Sequence, residues 1–446
     1  MSSEETPLLP IQPDLVYQRF SPQQRQILVS LVAWCGLLAP FISGTFLPSM
    51  PQIAADLNTT GEIVSYSVGL SVLAASIGAL TAAAYSTYYG RRPVYLFSLP
   101  VSITGSFGVG LSTSVPSLMF WRFWQAAGAS PGISVGAGVI GDIYKVEERG
   151  SALGIFYAVT LLGPALAPFV GGFTTHYASW RVLQLGLGVF GVIGFVFMLF
   201  AFPETSHPGT LGVDQQPESS GRNSWLPVFI NPLSPLALLR SPNLLTVTVV
   251  GLVSLLTDYG ALTSPRRSVL LVPLAYTIGL RYGIRNEALI GVCFLPSGIG
   301  NIELLVGAPV AGRISDRITR EWKLKRGFWY PEDRLRASLI PALVFVPGSV
   351  LCSGLLTQFV PGPIGLTLNL LCLFINGFGV DMVLGPAAAY VVDILQSQSA
   401  QAMASNNAFR SAFISVAVAG ILPSINTWGV AITNLVAALL AWTGFV

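Results

Sequence analysis

The amino-acid sequence predicts an all-α polytopic membrane protein with twelve transmembrane helices in two bundles of six. Three observations predict this fold class. Of the 446 residues, 52% are apolar and only 10% are charged, whereas about a quarter of an average soluble domain is charged. Twelve apolar stretches are near the length of about 20 residues that a spanning helix needs. Basic residues outside these stretches are unequally divided between the two predicted sides of the membrane.

The predicted spans follow from these apolar stretches. In chain order they are residues 27–47, 63–86, 94–112, 116–140, 151–173, 181–202, 243–260, 288–312, 337–358, 363–392, 404–424 and 428–446. Residues 1–26 are polar and form a predicted cytosolic tail. Residues 204–242 are the longest polar connection, so they form a predicted central cytosolic loop. The two six-helix bundles are therefore expected at 27–203 and 243–446.

The distribution of basic residues predicts the orientation. With the N-terminus in the cytosol, sixteen Lys and Arg residues fall on the cytosolic side and five on the outer side. Cytosolic loops of membrane proteins carry an excess of Lys and Arg. Both termini are therefore expected in the cytosol, and eight of the sixteen basic residues lie in the loop predicted at 313–336.

The composition also excludes other classes of protein. Forty-three charged residues are too few to cover the surface of a soluble enzyme of this size, and the net charge of +3 makes a nucleic-acid partner unexpected. Four cysteines and two histidines lack metal-ligand spacing. No nucleophile–base pair lies in the spans. We therefore expect no enzyme activity, no metal and no cofactor, and the expected partners are a small-molecule substrate, protons and the lipid bilayer.

A weak internal repeat relates the two halves. After span 2 the chain has Ala83, Thr87 and then Gly90-Arg91-Arg92, and after span 8 it has Gly312 followed by Asp316-Arg317. Both motifs are expected in cytosolic gating loops. Six plus six spans with such a repeat are typical of a secondary transporter that alternates access to a site near the membrane midplane.

Arg122 is the clearest functional candidate, because ionisable residues at membrane depth are expensive and usually functional. It lies about two turns inside span 4, on the same helix face as Gln125, which is a candidate substrate-binding residue. A fixed cation beside a cavity influences when a nearby carboxylate takes up a proton, so we expect a role in proton coupling. The alternative is an arginine that snorkels to the outer interface.

Asp381 is the second candidate. It lies near the middle of span 10, with Phe374 and Phe378 on its helix face. A carboxylate framed by aromatic rings suits an organic cation, but a buried carboxylate also binds protons readily, so both substrate binding and proton coupling remain open. Asp258 is a candidate cavity acid for substrate binding, and Glu303 is another.

Two further features of the spans concern conformational change. Asn406 and Arg410 are neighbours in span 11 and fit either a gate, with Asp393 as partner, or an interfacial anchor. Span 5 contains a run rich in proline and glycine, in which prolines interrupt helix hydrogen bonds and glycines allow close packing. The members of this run are Gly163, Pro164, Pro168, Gly171 and Gly172.

Several ordered motifs resemble a known family. They are Leu47 to Ile53, Gly90 to Tyr95, Arg122 to Gly128, Gly141 to Tyr144, Glu148 to Gly150, Gly163 to Gly172, Ser179 to Arg181, Pro203 to Thr205, Gly312 to Arg317, Pro331 to Leu335 and Ala389 to Asp393. Together they make the chain similar to the twelve-span drug:proton antiporters of the major facilitator superfamily. The fungal branch of quinidine-resistance, polyamine and dityrosine exporters is the best match.

The resemblance implies a major facilitator fold that exports small organic compounds in exchange for protons. It implies proton coupling at Arg122, an antiporter motif in span 5 and a gating loop at Gly90 to Arg92. One departure is that the family's gating loop carries Gly and Asp where this chain has Ala83 and Thr87. Two others are the insert-like segments 260–268, near the end of span 7, and 303–306, within span 8.

The sequence is also compatible with other functions. A proton-coupled uptake symporter has the same fold, and the segment at 260–268 allows a non-functional isoform. A receptor or scaffold is disfavoured because its signalling domain has no counterpart in the sequence. We expect a monomer, and the plasma membrane is favoured over the vacuolar membrane.

Overall fold

The structure is a computed structural model that describes residues 17, 19–144, 146–207, 211–214, 230–260, 287–293, 295–296, 307–328, 330–360, 362–394, 399–428 and 430–445. These residues form helices and short connections, with no strand in the described part of the chain. The segments 261–268 and 303–306, including Glu303, lie outside the described residues. Asp258 lies in the last turn of a helix of which only the backbone is described there.

The described part of the N half, residues 17–207, contains seven helices. They are α1 (Pro22–Asp56), α2 (Gly61–Tyr89), α3 (Arg91–Gly110), α4 (Val115–Ala129), α5 (Pro131–Ile143), α6 (Val146–Tyr177) and α7 (Trp180–Ala201). Three of these helices have a hydroxyl side chain as their N-terminal cap. Ser21 forms a capping box with Gln24 at the start of α1, Thr60 caps α2 and Ser179 caps α7, which satisfies backbone N–H groups that have no partner within the helix.

Span 4 is broken, contrary to the single helix predicted at 116–140. It consists of α4 and α5, which meet at Ser130 and Pro131. Proline lacks an N–H donor and its ring clashes with the preceding turn, so it interrupts the helix. The break divides the span just beyond the Arg122 region and places Pro131 at the first position of α5, where proline is tolerated.

The described part of the C half, residues 230–445, contains seven further α-helices. They are α8 (Pro242–Gly260), α9 (Glu287–Cys293), α10 (Gly307–Arg326), α11 (Val346–Phe359), α12 (Gly362–Ile394), α13 (Ser399–Trp428) and α14 (Val430–Phe445). Two 3₁₀ segments, Ser234–Arg240 and Pro331–Ser338, precede α8 and span 9, and a π-helical turn at Pro341–Phe345 leads into α11.

The predicted loop at 313–336 is largely helical. Helix α10 continues to Arg326, so Gly312, Asp316 and Arg317 lie in a helix and not in a gating loop. An ion pair of 2.9 Å between Arg317 and Glu321 joins neighbouring turns of this helix. The helix ends before Gly327, whose positive φ of 86° is typical of a glycine that terminates a helix.

Five helical segments among the described residues are long and apolar enough to cross a membrane by length and composition alone. They are Pro22–Asp56, Gly61–Tyr89, Trp180–Ala201, Pro331–Thr357 and Gly362–Val391. The other described helices occur where the sequence predicts the remaining spans, with α9 and α10 together covering the two ends of predicted span 8.

We call the side on which α1 begins the Pro22 face and the side on which it ends the Asp56 face. The charge distribution predicts that the Pro22 face is cytosolic. On the Asp56 face, the α7 residue Trp180 joins the end of α1. Its indole Nε1 donates to Asp56 Oδ2 at 2.8 Å, and its backbone N–H donates to Gln52 Oε1 at 2.9 Å.

The packing between the two halves includes a hydrophobic cluster that we call the shared cluster. Its buried members from the N half are Phe46, Met50, Ile53, Ala54, Val64, Val68, Val109, Leu118 and Trp180, and those from the C half are Leu252 and Ile414. Helices α2 and α13 pack together, as do α6 and α9. The buried clusters that include the helix ends at the Pro22 face each contain one half alone, around Leu28 and around Leu244. The described packing therefore closes the molecule at the Asp56 face.

Candidate functional site

Arg122 is a fully buried cation in the described part of the N half. It lies seven residues after the first residue of α4, and its side chain has no exposed surface. Its Nη1 donates a 2.9 Å hydrogen bond to Gln125 Oε1. Gln125 Nε2 in turn donates to Ser106 Oγ at 3.0 Å and to Gln184 Oε1 at 2.9 Å. The cation is therefore the end of a polar network that joins α3, α4 and α7.

The other contact of Arg122 is with α1. The guanidinium carbon lies 4.1 Å from the centre of the Phe46 ring, a distance at which a desolvated cation–π interaction is favourable. Nε and Nη2 of Arg122 have no hydrogen-bond partner among the described residues. The snorkelling alternative is wrong for this structure, because the guanidinium lies inside the bundle.

Three residues of this network were not predicted from the sequence: Phe46, Ser106 and Gln184. The sequence did contain a signal for Gln184, because a buried amide in the apolar span 6 needs a hydrogen-bond partner. Ser106 and Phe46 had none, since serine and phenylalanine are ordinary residues in a membrane helix. Glycine allows the close approach of the helices, because a Cβ at Gly105 would lie 2.5 Å from the backbone nitrogen of Gln125.

The Gly90-Arg91-Arg92 motif forms the turn between α2 and α3 at the Pro22 face. Gly90 has a positive φ of 100° and directly faces Glu204. The Glu204 carboxylate accepts hydrogen bonds from the backbone N–H groups of Arg91 at 2.9 Å and Arg92 at 3.0 Å. A carboxylate at this position is favourable because it caps the N-terminus of α3.

The environment of Glu204 also shifts its titration. Burial raises the pKa of this carboxyl, but the hydrogen bonds from backbone N–H groups of Arg91, Ser206 and Arg92 lower it, and the resulting pKa lies below the ordinary value. Glu204 therefore remains ionised under mildly acidic conditions. It holds the end of α7 against the turn between α2 and α3.

A charge network is present in this turn although the family's acidic position is occupied by Thr87. Arg91 Nε pairs with Asp142 Oδ2 of α5 at 3.0 Å, and its Nη1 donates to Ser86 Oγ at 2.9 Å. Thr87 Oγ1 instead donates to the backbone oxygen of Ala83. The described turn thus keeps an arginine–carboxylate contact through Asp142 without a carboxylate at position 87.

The proline–glycine run of span 5 packs α6 against α1. Helix α6 continues through Pro164 and Pro168. A Cβ at Gly171 would lie 2.4 Å from the Thr45 backbone oxygen, and one at Gly163 would lie 2.8 Å from the Pro40 ring. Gly172 is also buried. The run is therefore a close helix–helix contact, as its composition predicted.

Asp381 of α12 lies in the C half and is 8% exposed. Phe378, one turn before it, lies with its ring centre 6.3 Å from that of Phe345, and Phe374 is partly buried. Asn376 accepts a hydrogen bond of 3.0 Å from Ser349. No described hydrogen bond or ion pair connects Asp381 with Arg122, so the two candidate residues belong to separate halves.

Comparison with known protein families identifies this architecture. Residues 32–418 match the model of the Major Facilitator Superfamily. The chain belongs to the major facilitator superfamily. It is therefore a multi-pass integral membrane protein of a transporter family, not of an enzyme family, and small molecules are its class of substrate.

Relatives within this superfamily include fungal exporters. The MFS antiporter QDR3 of Candida albicans is 35% identical over 181 residues, which cover 41% of this chain and 26% of that relative. The efflux pump radE of Floropilus chiversii is 27% identical, over 89% of this chain and 74% of the relative. Citrate exporter 1 of Aspergillus niger is 27% identical, over 69% and 61%.

A solved superfamily structure has the same fold. The bacterial homologue of the human lysosomal transporter Spinster, in an inward-facing and unoccupied conformation, matches with a TM-score of 0.61 at 13% identity. The match covers 93% of this chain and 82% of the bacterial one. The predicted all-helical major facilitator fold is thus confirmed.

Proposed function

We propose that this protein exports small organic compounds, cationic or amphiphilic, in exchange for protons by alternating access. The buried network around Arg122 is the observation on which this proposal rests. A cation fully removed from solvent is costly unless its charge is used or compensated. Around Arg122 the described compensation consists of neutral amides and one aromatic ring.

The proposed coupling role follows from that environment. An uncompensated positive charge in a medium of low dielectric favours the ionised form of acids near it. Arg122 thus assists release of a proton from an acid that approaches it during the transport cycle. Because Phe46 belongs both to the Arg122 environment and to the shared cluster, release is linked to the conformation of the Asp56 face.

The proposed substrate charge follows from Asp381. A mostly buried carboxylate with Phe378 on its helix face suits an organic cation through charge attraction and the aromatic ring. Asp381 is also a proposed proton carrier, and the two roles predict different responses to neutral substrates. Asp258 remains a proposed substrate contact.

The direction of transport is supported by the α1–α6 contact and by the names of the relatives. The close packing at Gly163 and Gly171 is where the sequence resembles the antiporter motif, and relatives carry the names antiporter, efflux pump and exporter. Export therefore has more support than uptake by a symporter of the same fold. Among membranes we propose the plasma membrane, with a monomer as the working unit.

The test is efflux from a host that lacks its own exporters, with a panel of fluorescent organic cations and neutral dyes. We expect wild-type efflux that a proton uncoupler abolishes, and loss of this uncoupler-sensitive part in Arg122→Ala at equal membrane abundance. Arg240→Ala is the control, because Arg240 is exposed just before α8. Wild-type efflux by Arg122→Ala would overturn the coupling role, and uptake down the proton gradient would favour the symporter.

The same assay separates the two roles of Asp381. Asp381→Asn removes the charge and keeps the shape. A selective loss of cation efflux would support substrate binding, whereas an equal loss for cations and neutral dyes would support proton transfer.

A further inference from the structure

A second arginine at membrane depth, Arg410, lies in the C half where three helices meet. It is eleven residues after the first residue of α13 and is partly buried. A Cβ at Gly251 of α8 would lie 2.8 Å from Arg410 Nη1 and 3.3 Å from Leu384 Cδ2 of α12. The guanidinium therefore occupies a gap between α8, α12 and α13 that the missing side chain of Gly251 leaves open.

Arg410 and nearby residues of α13 carry buried polar atoms with no hydrogen-bond partner in the described part of the chain. Arg410 Nε and Asn406 Oδ1, one turn apart on α13, are both buried and make no hydrogen bond within the described residues, and neither does Ser405 Oγ. Asn406 is 3% exposed. Arg410 Nη2 donates to the neutral side chain of Asn407, and no ion pair joins Arg410 to any described carboxylate. Unsatisfied buried donors and acceptors are costly, so this arrangement is suited to a ligand that supplies the missing partners.

Asp393, the possible partner named from the sequence, is described only by its backbone. Arg410 is level with Leu384, and Asp393 follows nine residues later on α12, a rise of about 13 Å at 1.5 Å per residue. That distance exceeds the reach of one arginine side chain. This backbone separation argues against the gate pair of Arg410 with Asp393, which stays a prediction.

We propose that Arg410 binds a carboxylate of the transported compound and that Asn406 accepts a hydrogen bond from a hydroxyl next to that carboxylate. Arginine is well matched to carboxylates because its planar N–H donors form charge-assisted hydrogen bonds. This inference rests on the proposed export function and extends its substrate class to compounds that carry a carboxylate.

The position of Arg410 is compatible with entry of the transported compound from the Pro22 face. Ile414, one turn beyond Arg410 along α13, belongs to the shared cluster that closes the Asp56 face. Phe409, next to Arg410, also packs against this cluster, so Arg410 lies at the edge of the closure and Asn406 lies one turn nearer to the start of α13. A compound that enters from the Pro22 face therefore reaches Arg410 before the shared cluster has to open.

The test measures binding without a proton gradient, so its outcome does not depend on proton-coupled export. The thermal stability of the purified full chain is followed with L-malate, with succinate, which lacks the hydroxyl, and with dimethyl L-malate, which lacks the charges. We expect stabilisation by malate, weaker stabilisation by succinate and none by the diester. Arg410→Gln should abolish both responses, Arg410→Lys should keep a reduced one, and Asn406→Leu should remove the difference between malate and succinate. Arg240→Gln is the matched control.

Three outcomes would overturn the proposal. One is equal stabilisation by malate and its diester, another is no response of the wild type to malate or succinate, and the third is an undiminished response in Arg410→Gln. If Arg410→Gln fails to fold, the series of compounds on the wild type and on Asn406→Leu decides the question. If Arg410 instead neutralises Asp381, the double variant Arg410→Gln/Asp381→Asn should be as stable as the wild type, and malate should have no effect.

Discussion

Phe46 contacts the Arg122 guanidinium and also belongs to the shared cluster. Its ring covers the Arg122 guanidinium at 4.1 Å, and its side chain is fully buried in the shared cluster. A change in the Arg122 environment therefore acts directly on the packing that closes the Asp56 face. The described contacts give no comparable connection for Gln125 and Gln184, whose side chains bond to each other within the N half.

At this residue we predict that Phe46→Leu weakens the coupling of transport to protons. Leucine keeps most of the apolar volume but loses the cation–π interaction, which is worth about 1 to 2 kcal/mol when desolvated. The uncoupler-sensitive part of efflux should fall several-fold, whereas Phe46→Tyr should retain it. Phe156→Leu is the control, because Phe156 is equally buried in the cluster of the N half around Leu28. Equal losses in Phe46→Leu and Phe156→Leu would assign Phe46 a packing role only.

The turn between α2 and α3 is the element that most depends on a single backbone conformation. Gly90 combines a positive φ with a Cβ position 2.5 Å from Glu204 Oε2. Alanine at this position is strained by its φ and also displaces the carboxylate that caps α3. We predict that Gly90→Ala lowers the free energy of unfolding by about 1 to 3 kcal/mol. The thermal stability and the membrane yield should both fall as a result.

Gly186→Ala in α7 is the matched control for this element. A Cβ at Gly186 meets no atom within 4 Å, and alanine favours a helix over glycine by up to about 1 kcal/mol. The control should therefore be as stable as the wild type or more stable. If Gly90→Ala matched it, the strain argument would fail.

The same element predicts a pH dependence. Because the folded pKa of Glu204 lies below its unfolded value, its contribution to stability is fully present above the unfolded pKa. This contribution is lost as the pH falls through the folded pKa. At neutral pH, Glu204→Gln should therefore have a lower free energy of unfolding than the wild type, by about 1 kcal/mol, which is the scale of a helix cap. This difference should shrink below about pH 4. A difference that is constant from neutral to acidic pH would contradict the assignment.

The whole molecule is held closed on one face by a cluster to which both halves contribute. Leu252 of α8 packs there with N-half residues that include Phe46 and Met50. Leu252→Ser removes an apolar side chain whose burial is worth about 2 kcal/mol. If that energy acts only on the closed conformation, the population open at the Asp56 face rises by up to about thirtyfold.

This shift can be measured with a cysteine at Ser49, which is fully buried near the Asp56 face, in a chain whose four native cysteines are replaced. An impermeant maleimide in the medium of intact cells should label Ser49→Cys slowly, and faster when Leu252→Ser is added. Leu187→Ser, in the cluster around Leu28, should leave the rate unchanged. Faster labelling in both variants would indicate general destabilisation.

Much of the architecture could be predicted from the sequence because hydropathy and charge act locally. A run of about 20 apolar residues has few alternatives to a membrane helix, so the spans correspond to the described helices to within a few residues at most ends. The exceptions have local causes as well. Pro131 divides span 4, and the charged helix α10 extends past the predicted end of span 8.

Some properties of the candidate site are likewise local in the sequence, whereas others depend on how the helices pack. The sequence alone determined that Arg122 is an unusual cation within a span, since its cost there depends only on depth and charge. Only the tertiary structure decided that Gln125 connects Arg122 to Gln184 and that the Phe46 ring covers the guanidinium. Phe46 lies 76 positions before Arg122, and Gln184 lies 59 positions after Gln125. Which residues meet across such separations is decided by how the helices pack. That packing also placed Arg410 beside Gly251.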